Sequence, residues 1–248
     1  MFAKASLPLS VRPISRKVIA AGLLGTASLL QTGIAHAEAP KVVVSIKPIH
    51  SLVASIMQGV GEPSLIVEGA ASPHTYSMKP SNAAALQEAD IVFWVGHGLE
   101  AFLEKPLESL GGDAKVVELD DAPGLTKLKF REGGAFEPHD DGDEAHEGEG
   151  HADHHDEDEF DLHLWLDPMN AKAMAAEIEA TLEKADPGNV ARYRSNLESL
   201  KARLDTLDTS LAAKVAPIKD KPFIVFHDAY QYFEHRYGVK VAGSITVS

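Results

Sequence analysis

The sequence contains no cysteine among its 248 residues. A chain without cysteine forms no disulfide and offers no thiolate to a metal ion, so any metal site in it must use nitrogen and oxygen ligands. Positive charge is also scarce, with 23 Lys and Arg against 37 Asp and Glu. Because no basic stripe is present to release counterions from a phosphate backbone, the composition argues against nucleic-acid binding.

Long apolar runs are rare, and the run near the amino terminus is short for a membrane span. It reads VIAAGLLGTASLL, precedes the small-residue motif AHA at 35–37, and follows four basic residues: Lys4, Arg12, Arg16 and Lys17. This pattern is typical of a secretory signal. We predict that residues 1–37 are a cleaved signal peptide, and that the mature protein lies outside the cytoplasm and does not span the membrane.

Basic residues are missing altogether from one stretch, residues 137–161. It carries thirteen carboxylates and five histidines, the latter being His139, His146, His151, His154 and His155. Without it, 24 acids face 23 bases, so the rest of the chain is nearly neutral. Such a polar segment cannot bury enough apolar surface to offset chain entropy, and we predict a disordered loop covering about 132–160.

Strand-like and helix-like patterns alternate before this acidic stretch. Nearly continuous apolar runs predict strands at 41–46, 64–69, 91–96 and 115–119. Helical patterns lie between them, from Pro48 to Met57, from Ser81 or Asn82 onward, and in LEAFLEKPLESL, which ends at Gly111. Apolar strands separated by helices imply a parallel sheet covered on both faces, and therefore an α/β fold.

A second set of elements follows the acidic stretch. A helix is predicted from about Ala171 to Ala185, and DPGN at 186–189 breaks the chain. Apolar residues spaced by three or four then predict a long helix over 188–216, which is either a strut within the molecule or a dimeric coiled coil. We favour the strut, because α/β patterns flank the helix on both sides. A strand at 222–227, a short helix capped by Asp228 and a strand at 239–247 follow.

These elements predict two parallel-sheet lobes joined by one long helix. The predicted domains are a signal peptide at 1–37, a first lobe at 38–186, a linker helix at 187–217 and the start of a second lobe at 218–248. A sheet of only two strands would leave an exposed edge and half a core. We therefore expect the sequence to be truncated at its C-terminus.

Three histidines lie where parallel sheets usually gather ligands. His74 follows the strand SLIVEG, His227 ends the strand PFIVFH, and His163 precedes a helix in LHLWLDP. Neutral imidazoles without thiolates suit Zn²⁺ and other late first-row metals. Each histidine also has a plainer interpretation: His74 as a loop residue, His227 as a strand end, and His163 as a solvent-facing position in an alternating strand.

The remaining histidines carry weaker signals. His50 begins a helix at the end of a strand, and we interpret it as a supporting or structural residue. His97 follows a strand between two glycines, which allow close approach. His235 lies on a predicted helix and is expected to be exposed.

Several segments in order resemble one family. They are SIKPIHSLVASIMQGVGEPSLIVEGAASPHTYSMKPS, ADIVFWVGHGLEAFL, HLWLDPMNA and FIVFHDAYQYFEHRYG. Together they resemble the periplasmic zinc-binding component of bacterial ABC zinc uptake systems, which belongs to the metal-binding class of solute-binding proteins. The resemblance runs from about Lys41 to Ser248, and it implies two α/β lobes joined by a long helix.

The resemblance also implies a ligand set. It places the metal on His74, His163 and His227, with Zn²⁺ as the transported ligand. Manganese-binding relatives generally carry a carboxylate at the third position, so His227 favours zinc. The family's fourth position would fall beyond Ser248.

The implied function is non-enzymatic. A periplasmic monomer would capture Zn²⁺ between its lobes and pass it to an ABC permease driven by a cytoplasmic ATPase, while the histidine-rich loop would act as a low-affinity collector or sensor. Two alternatives stay open at this point. One is a zinc hydrolase, since three histidines and a water can form a catalytic site, although the sequence has no H-E-x-x-H motif. The other is a periplasmic metal buffer in which the loop itself is the function.

Overall fold

The computed structural model describes residues 39–131 and 160–246. Its first sheet has four parallel strands in the order β2-β1-β3-β4. The strands are β1 at Val42–Val44, β2 at Ser64–Leu65, β3 at Ile91–Trp94 and β4 at Lys115–Glu118. Strands β1 and β3 lie at the centre and are buried along their whole length, which explains their unbroken apolar sequences. The four predicted strands and their parallel arrangement are confirmed, although each strand is shorter than its apolar run.

Helices cover this sheet, and their apolar residues explain where they pack. Helix α1 at Lys47–Ile56 has Pro48 in its first turn, and it buries four residues spaced by one, three or four positions: Ile49, Leu52, Val53 and Ile56. Helix α2 spans Pro80–Gln87 and α3 spans Glu104–Leu110. Helix α4 spans Pro168–Ala185. We call the four-stranded sheet, the helices packed on it and the chain that follows β4 the first lobe.

Helix α4 begins before the predicted Ala171. The Asp167 carboxylate accepts a hydrogen bond from the Met169 amide at 2.8 Å, and Pro168 occupies the first turn. An acidic cap followed by proline is a strong helix start, because the cap satisfies an amide that has no partner within the helix. The apolar periodicity alone places the helix start too late.

Helix α5 at Val190–Val215 is the predicted long helix, about 39 Å long at 1.5 Å per residue. Its first half packs against α1 and α4 through Tyr193, Leu197 and Leu200, which are at most 6% exposed. Leu207, further along the same apolar stripe, is 47% exposed. The helix lies along the first lobe and is followed by the second sheet, which favours the strut over the dimeric coiled coil.

The second sheet pairs β5 at Phe223–His227 in parallel with β6 at Val241–Thr246. Helix α6 at Gln231–Tyr237 connects them and ends at Gly238, whose φ of 69° lies in the left-handed region that favours glycine. We call β5, α6 and β6 the second lobe. The prediction that Asp228 caps α6 is wrong: Tyr230 holds the cap position, and the Asp228 carboxylate binds Arg131 instead.

The described chain from 120 to 131 runs without a helix or an extended strand, and side chains of α4 hold it in place. The Thr126 amide donates to Asn170 Oδ1 at 2.8 Å, and Asn170 Nδ2 donates to the Thr126 carbonyl at 2.9 Å. Side chains of α4 thus replace the backbone partners that a strand or helix would supply. Such long-range pairs leave no local sequence pattern.

The five loop histidines and the predicted signal peptide lie outside the described residues. The domain boundaries predicted at 186–187 and 217–218 stay predictions. Within residues 39–131 and 160–246, no helix combines the length and apolar character needed to cross a membrane.

Candidate metal centre

Three histidines from distant parts of the sequence meet at one point. His74, His163 and His227 each offer a ring nitrogen, and these atoms all lie within 4.8 Å of one another. The ring centroids are 5.6 Å apart for His74 and His163, 5.4 Å for His74 and His227, and 5.2 Å for His163 and His227. The structure therefore brings together the three residues that the sequence singles out.

The nitrogen spacing fits a tetrahedral ion. Nε2 of His163 and Nε2 of His227 are 3.3 Å apart. Two nitrogens bound tetrahedrally to zinc at about 2.0–2.1 Å are themselves about 3.3 Å apart. These two imidazoles are thus already at ligand spacing, and a His74 nitrogen lies within 4.8 Å of both.

A short 3₁₀ turn at Pro73–Thr75 carries His74 beyond β2. The Tyr76 hydroxyl, directly after this turn, donates to the Ile66 carbonyl at 3.0 Å and lies 3.1 Å from Asn82 Oδ1. Asn82 is buried at the start of α2. The tyrosine therefore ties the loop to both the end of β2 and the following helix, which fixes the height of His74 above the sheet edge.

His163 sits at the beginning of a second 3₁₀ turn, Leu164–Leu166. It is only 9% exposed, so the alternative that it faces solvent by strand alternation is wrong. Alternation fails here because the segment makes a single bridge at Phe160 and then turns, with no continuing strand.

Asp161 orients the His163 ring. One carboxylate oxygen, Oδ1, accepts from Nδ1 of His163 at 2.7 Å and from the His163 amide at 3.0 Å. A proton held on Nδ1 leaves the Nε2 lone pair directed at the other histidines, as a metal ligand requires. Asp161 is 4% exposed, so the carboxylate contact is shielded from water.

A tyrosine of the second lobe supports Asp161. The Tyr232 hydroxyl on α6 donates to the Asp161 carbonyl at 2.5 Å and accepts from the Leu128 amide at 3.0 Å. Burial raises the pKa of Tyr232 well above its ordinary value, so the hydroxyl stays protonated and able to donate. The second lobe thus contacts the segment that holds His163.

His227 is the last residue of β5 and pairs in register with Thr246 of β6. It reaches the site from the carboxyl end of a parallel strand, the position at which open sheets bind ligands. The next residue, Asp228, binds Arg131 of the first lobe at 2.6 Å.

A cavity of about 530 Å³ opens beside the three histidines. The first lobe contributes the end of β1, the start of α1 and the loop around His74, and the second lobe contributes Phe226, Ala229 and Tyr230. The walls are mainly apolar, with Trp165 and Leu166 on one side. An ion at the histidines would therefore sit in a shielded crevice with one face open to the cavity.

The other described histidines do not join the site. Nε2 of His50 lies 3.0 Å from the Pro63 carbonyl, in agreement with a structural role. His97 packs edge-on against Trp94, and its ring nitrogens lie 3.2 Å from Glu104 and 3.6 Å from Glu118. His235 is exposed, as expected.

The sequence does not single out two residues that support the site, Asp161 and Arg131. Asp161 is one of thirteen carboxylates in an acidic run, and no local motif surrounds Arg131. The one available signal for Asp161 is its spacing of two residues from His163, next to the apolar LHLWL block. For Arg131, whose partners lie 97 and 103 residues away, no local signal exists.

Two parallel-sheet lobes, a long joining helix and three histidines that meet in the crevice between the lobes are the features of the metal-binding class of solute-binding proteins. Comparisons with known proteins identify the family within this class. The family described as zinc-uptake complex component A, periplasmic, matches residues 42–248. The chain belongs to this family, whose members are transport components and not enzymes.

Individual proteins similar to this chain belong to the same family. The chain is 54% identical over 225 residues to the high-affinity zinc uptake system protein ZnuA of Brucella abortus (strain 2308), an alignment covering 84% of this chain and 67% of the relative. It is 35% identical to the ZnuA protein of Yersinia pestis over 217 residues, covering 84% of this chain and 66% of the relative. A zinc-bound ZnuA carrying a 138-173 deletion superposes with a TM-score of 0.67 at 27% identity, covering 84% of this chain and 71% of the relative.

Proposed function

We propose that this protein binds Zn²⁺ with His74, His163 and His227 and delivers it to an ABC-type zinc importer made of a permease and an ATPase. The observation that carries the proposal is the convergence of three imidazoles at one point of the crevice between the lobes. An all-nitrogen, thiolate-free ligand set suits Zn²⁺. The names of the relatives, which are zinc uptake proteins, support the same cargo.

We also propose that the protein works as a periplasmic monomer after its signal peptide, residues 1–37, is removed. The family is periplasmic, which supports export. Mass spectrometry of the protein from a periplasmic extract should give a chain that begins at Glu38. Light scattering should give one chain per particle with and without zinc.

The loop histidines would form weak, secondary zinc sites. His139, His146, His151, His154 and His155 lie among twelve carboxylates of residues 137–159. The sequence predicts that this loop is disordered, and ligands from a disordered segment must be ordered when they bind, so each loop site should be weaker than the crevice site. The composition supports a role of the loop as a collector or sensor of zinc. The alternative, that the whole protein is a metal buffer, predicts the opposite result in the titration described next.

Calorimetric titration with zinc tests the whole proposal. The mature protein is compared with three variants: a deletion of residues 137–159, His74→Ala, and the control His235→Ala on the exposed surface of α6. The deletion spares Phe160, because this residue forms a bridge with Lys129. We expect one tight site that survives the deletion and the control but weakens at least about 100-fold in His74→Ala.

A solved relative that carries a 138-173 deletion has zinc bound, so zinc binding in that protein does not require the deleted residues. If the tight site disappears with the loop and persists in His74→Ala, the loop is the functional element and the crevice proposal is wrong.

A further inference from the structure

Arg131 forms the most extensive ion pair of the described residues near the site. Its guanidinium donates to both oxygens of Asp228, at 2.6 and 3.1 Å. It also donates to both oxygens of Glu234, at 2.6 and 3.1 Å. Two bidentate contacts from a planar cation fix both the distance and the angle between the groups that they join.

The partners lie in the other lobe and next to a proposed zinc ligand. Arg131 ends the described chain that follows β4, whereas Asp228 directly follows His227 at the end of β5. Glu234 lies on α6, and its Oε2 also accepts from the Val241 amide of β6 at 2.9 Å. A single side chain of the first lobe therefore holds β5, α6 and β6 together.

The contact is partly shielded from water. The side chains of Arg131, Asp228 and Glu234 are 22%, 20% and 12% exposed. Partial burial opposes the charge on Arg131, but the carboxylates of Glu234 and Asp228 outweigh it and raise the pKa of Arg131 further above its ordinary value. An arginine side chain stays charged at physiological pH, so the guanidinium remains available to both carboxylates.

Neighbouring hydrogen bonds reinforce the same junction. Gln231 Nε2 donates to the Lys129 carbonyl at 2.8 Å, close to the Tyr232 contacts with Leu128 and Asp161. Arg236 on α6 binds a different element, the Asp208 carboxylate on α5, at 2.6 and 2.9 Å. The second lobe is thus held to the long helix by Arg236 and to the chain beside His163 by Arg131.

We propose that Arg131 is a positioning residue that holds His227 against His74 and His163 and thereby sets the rate at which Zn²⁺ leaves the crevice. The inference depends on the proposed function, because it assumes that the three histidines bind the ion. Release must begin with the loss of one ligand, and His227 is the ligand contributed by the second lobe. A rigid link beside His227 reduces the freedom of that ligand to move away, and such preorganisation acts mainly on the dissociation rate.

Zinc release tests the proposal directly. Mature protein loaded with one equivalent of zinc is mixed with excess chromophoric chelator in a stopped-flow instrument. We expect Arg131→Ala to release zinc about tenfold faster, because charge-assisted bidentate contacts are lost. Arg131→Lys keeps the charge but loses the planar fork, and its rate should lie between those of Arg131→Ala and the wild type.

Arg194 supplies a matched control. It also makes a bidentate contact, to the two oxygens of Glu183 at 2.6 and 2.9 Å, but it joins α5 to α4 and not one lobe to the other. Arg194→Ala should release zinc at the wild-type rate. Asp228→Asn leaves the contact between Arg131 and Glu234 and should accelerate release less than Arg131→Ala does. The double change should release zinc no faster than Arg131→Ala alone, because that change already removes the contact with Asp228.

Urea unfolding of the zinc-free proteins separates positioning from stability. If Arg131→Ala destabilises the fold but releases zinc at the wild-type rate, the residue is only structural and the inference is wrong. The inference is also wrong if Arg194→Ala accelerates release equally. If instead His74→Ala leaves tight zinc binding intact, the proposed function itself fails, whatever Arg131 does.

Discussion

At the scale of single residues, the candidate site depends on groups that aim the imidazoles. Asp161 is the clearest case, because one buried oxygen binds both Nδ1 and the amide of His163. Asp161→Ala should weaken zinc affinity about 10- to 100-fold, the usual cost of removing the partner of a metal-bound histidine. Asp161→Asn should cost less, since its carbonyl oxygen can still accept from Nδ1.

Competition with a fluorescent zinc chelator measures both affinities. Asp220→Ala, a change at an exposed position, is the control and should bind zinc as the wild type does. An Asp161→Ala protein with unchanged affinity would show that packing alone orients His163.

A second effect at the scale of single residues concerns stability, and it comes from a buried carboxyl group away from the site. Glu100 is fully buried, and this burial raises its pKa to about 7 even though hydrogen bonds from the Val95 and Gly96 amides favour the charged form. The negative charge of nearby Asp120 adds to the increase. The folded state therefore keeps a proton up to about pH 7 that the unfolded state loses near pH 4.5, the ordinary pKa of a glutamate.

Burial of Glu100 makes the stability of the fold depend on pH. Between these two pKa values the unfolded state binds fewer protons, so the stability falls as the pH rises, by about 3 kcal/mol in total. Glu100→Gln stays neutral and should lose this dependence. Urea unfolding of zinc-free protein at about pH 5 and about pH 8 measures the difference, with Glu108→Gln on the exposed face of α3 as the control. Equal pH dependence in the wild type and Glu100→Gln would contradict it.

At the scale of secondary-structure elements, the two halves of α5 differ in how deeply their apolar residues are buried. Leu200 is 6% exposed and Leu207 is 47% exposed, although both belong to the same apolar stripe. Leu200→Ala should reduce the free energy of unfolding by about 3 kcal/mol, because it leaves a cavity against the first lobe. Leu207→Ala should cost about 0.5 kcal/mol.

Urea unfolding of both variants checks this expectation, and each substitution serves as the control for the other. Equal costs would mean that the exposed half of the stripe is covered in solution, as a dimeric coiled coil would require.

The sequence predicts where a helix or strand ends only when a residue at that end determines it. Gly238 ends α6, because glycine readily adopts the left-handed conformation found at that position. Asp228 does not cap α6, because Arg131 offers its carboxylate a stronger, charged partner. The chain around Thr126 is ordered by Asn170, 44 residues away. At these positions a contact with a residue distant in sequence stabilises the structure more than the local conformational preference does.

At the scale of the whole molecule, charge is distributed very unevenly. Deleting residues 137–159 removes twelve acids and no bases, which changes the formal charge of the full chain from −14 to −2. A concentrated negative charge attracts divalent cations, and added salt screens this attraction. The intact mature protein should therefore take up zinc faster than the deletion variant at low ionic strength, and the advantage should shrink at physiological ionic strength.

Stopped-flow association rates across a salt series test this prediction. A variant with the five loop histidines replaced by glutamine keeps the acids and serves as the control. If that variant loses the whole advantage, imidazole binding accounts for the uptake, and if the deletion variant is equally fast at all salt concentrations, the charge has no effect.

The sequence by itself determined the α/β alternation, the parallel strands, the long helix and the three histidines, because each of these depends on local periodicity or on a segment that resembles the family. Only the tertiary structure decided that the three imidazoles meet within 4.8 Å, that Asp161 is buried behind His163 and that Arg131 joins the lobes. These contacts connect residues up to 153 positions apart, since His227 is that far from His74. A contact of this kind is set by how the lobes pack, and no local pattern of side chains records it.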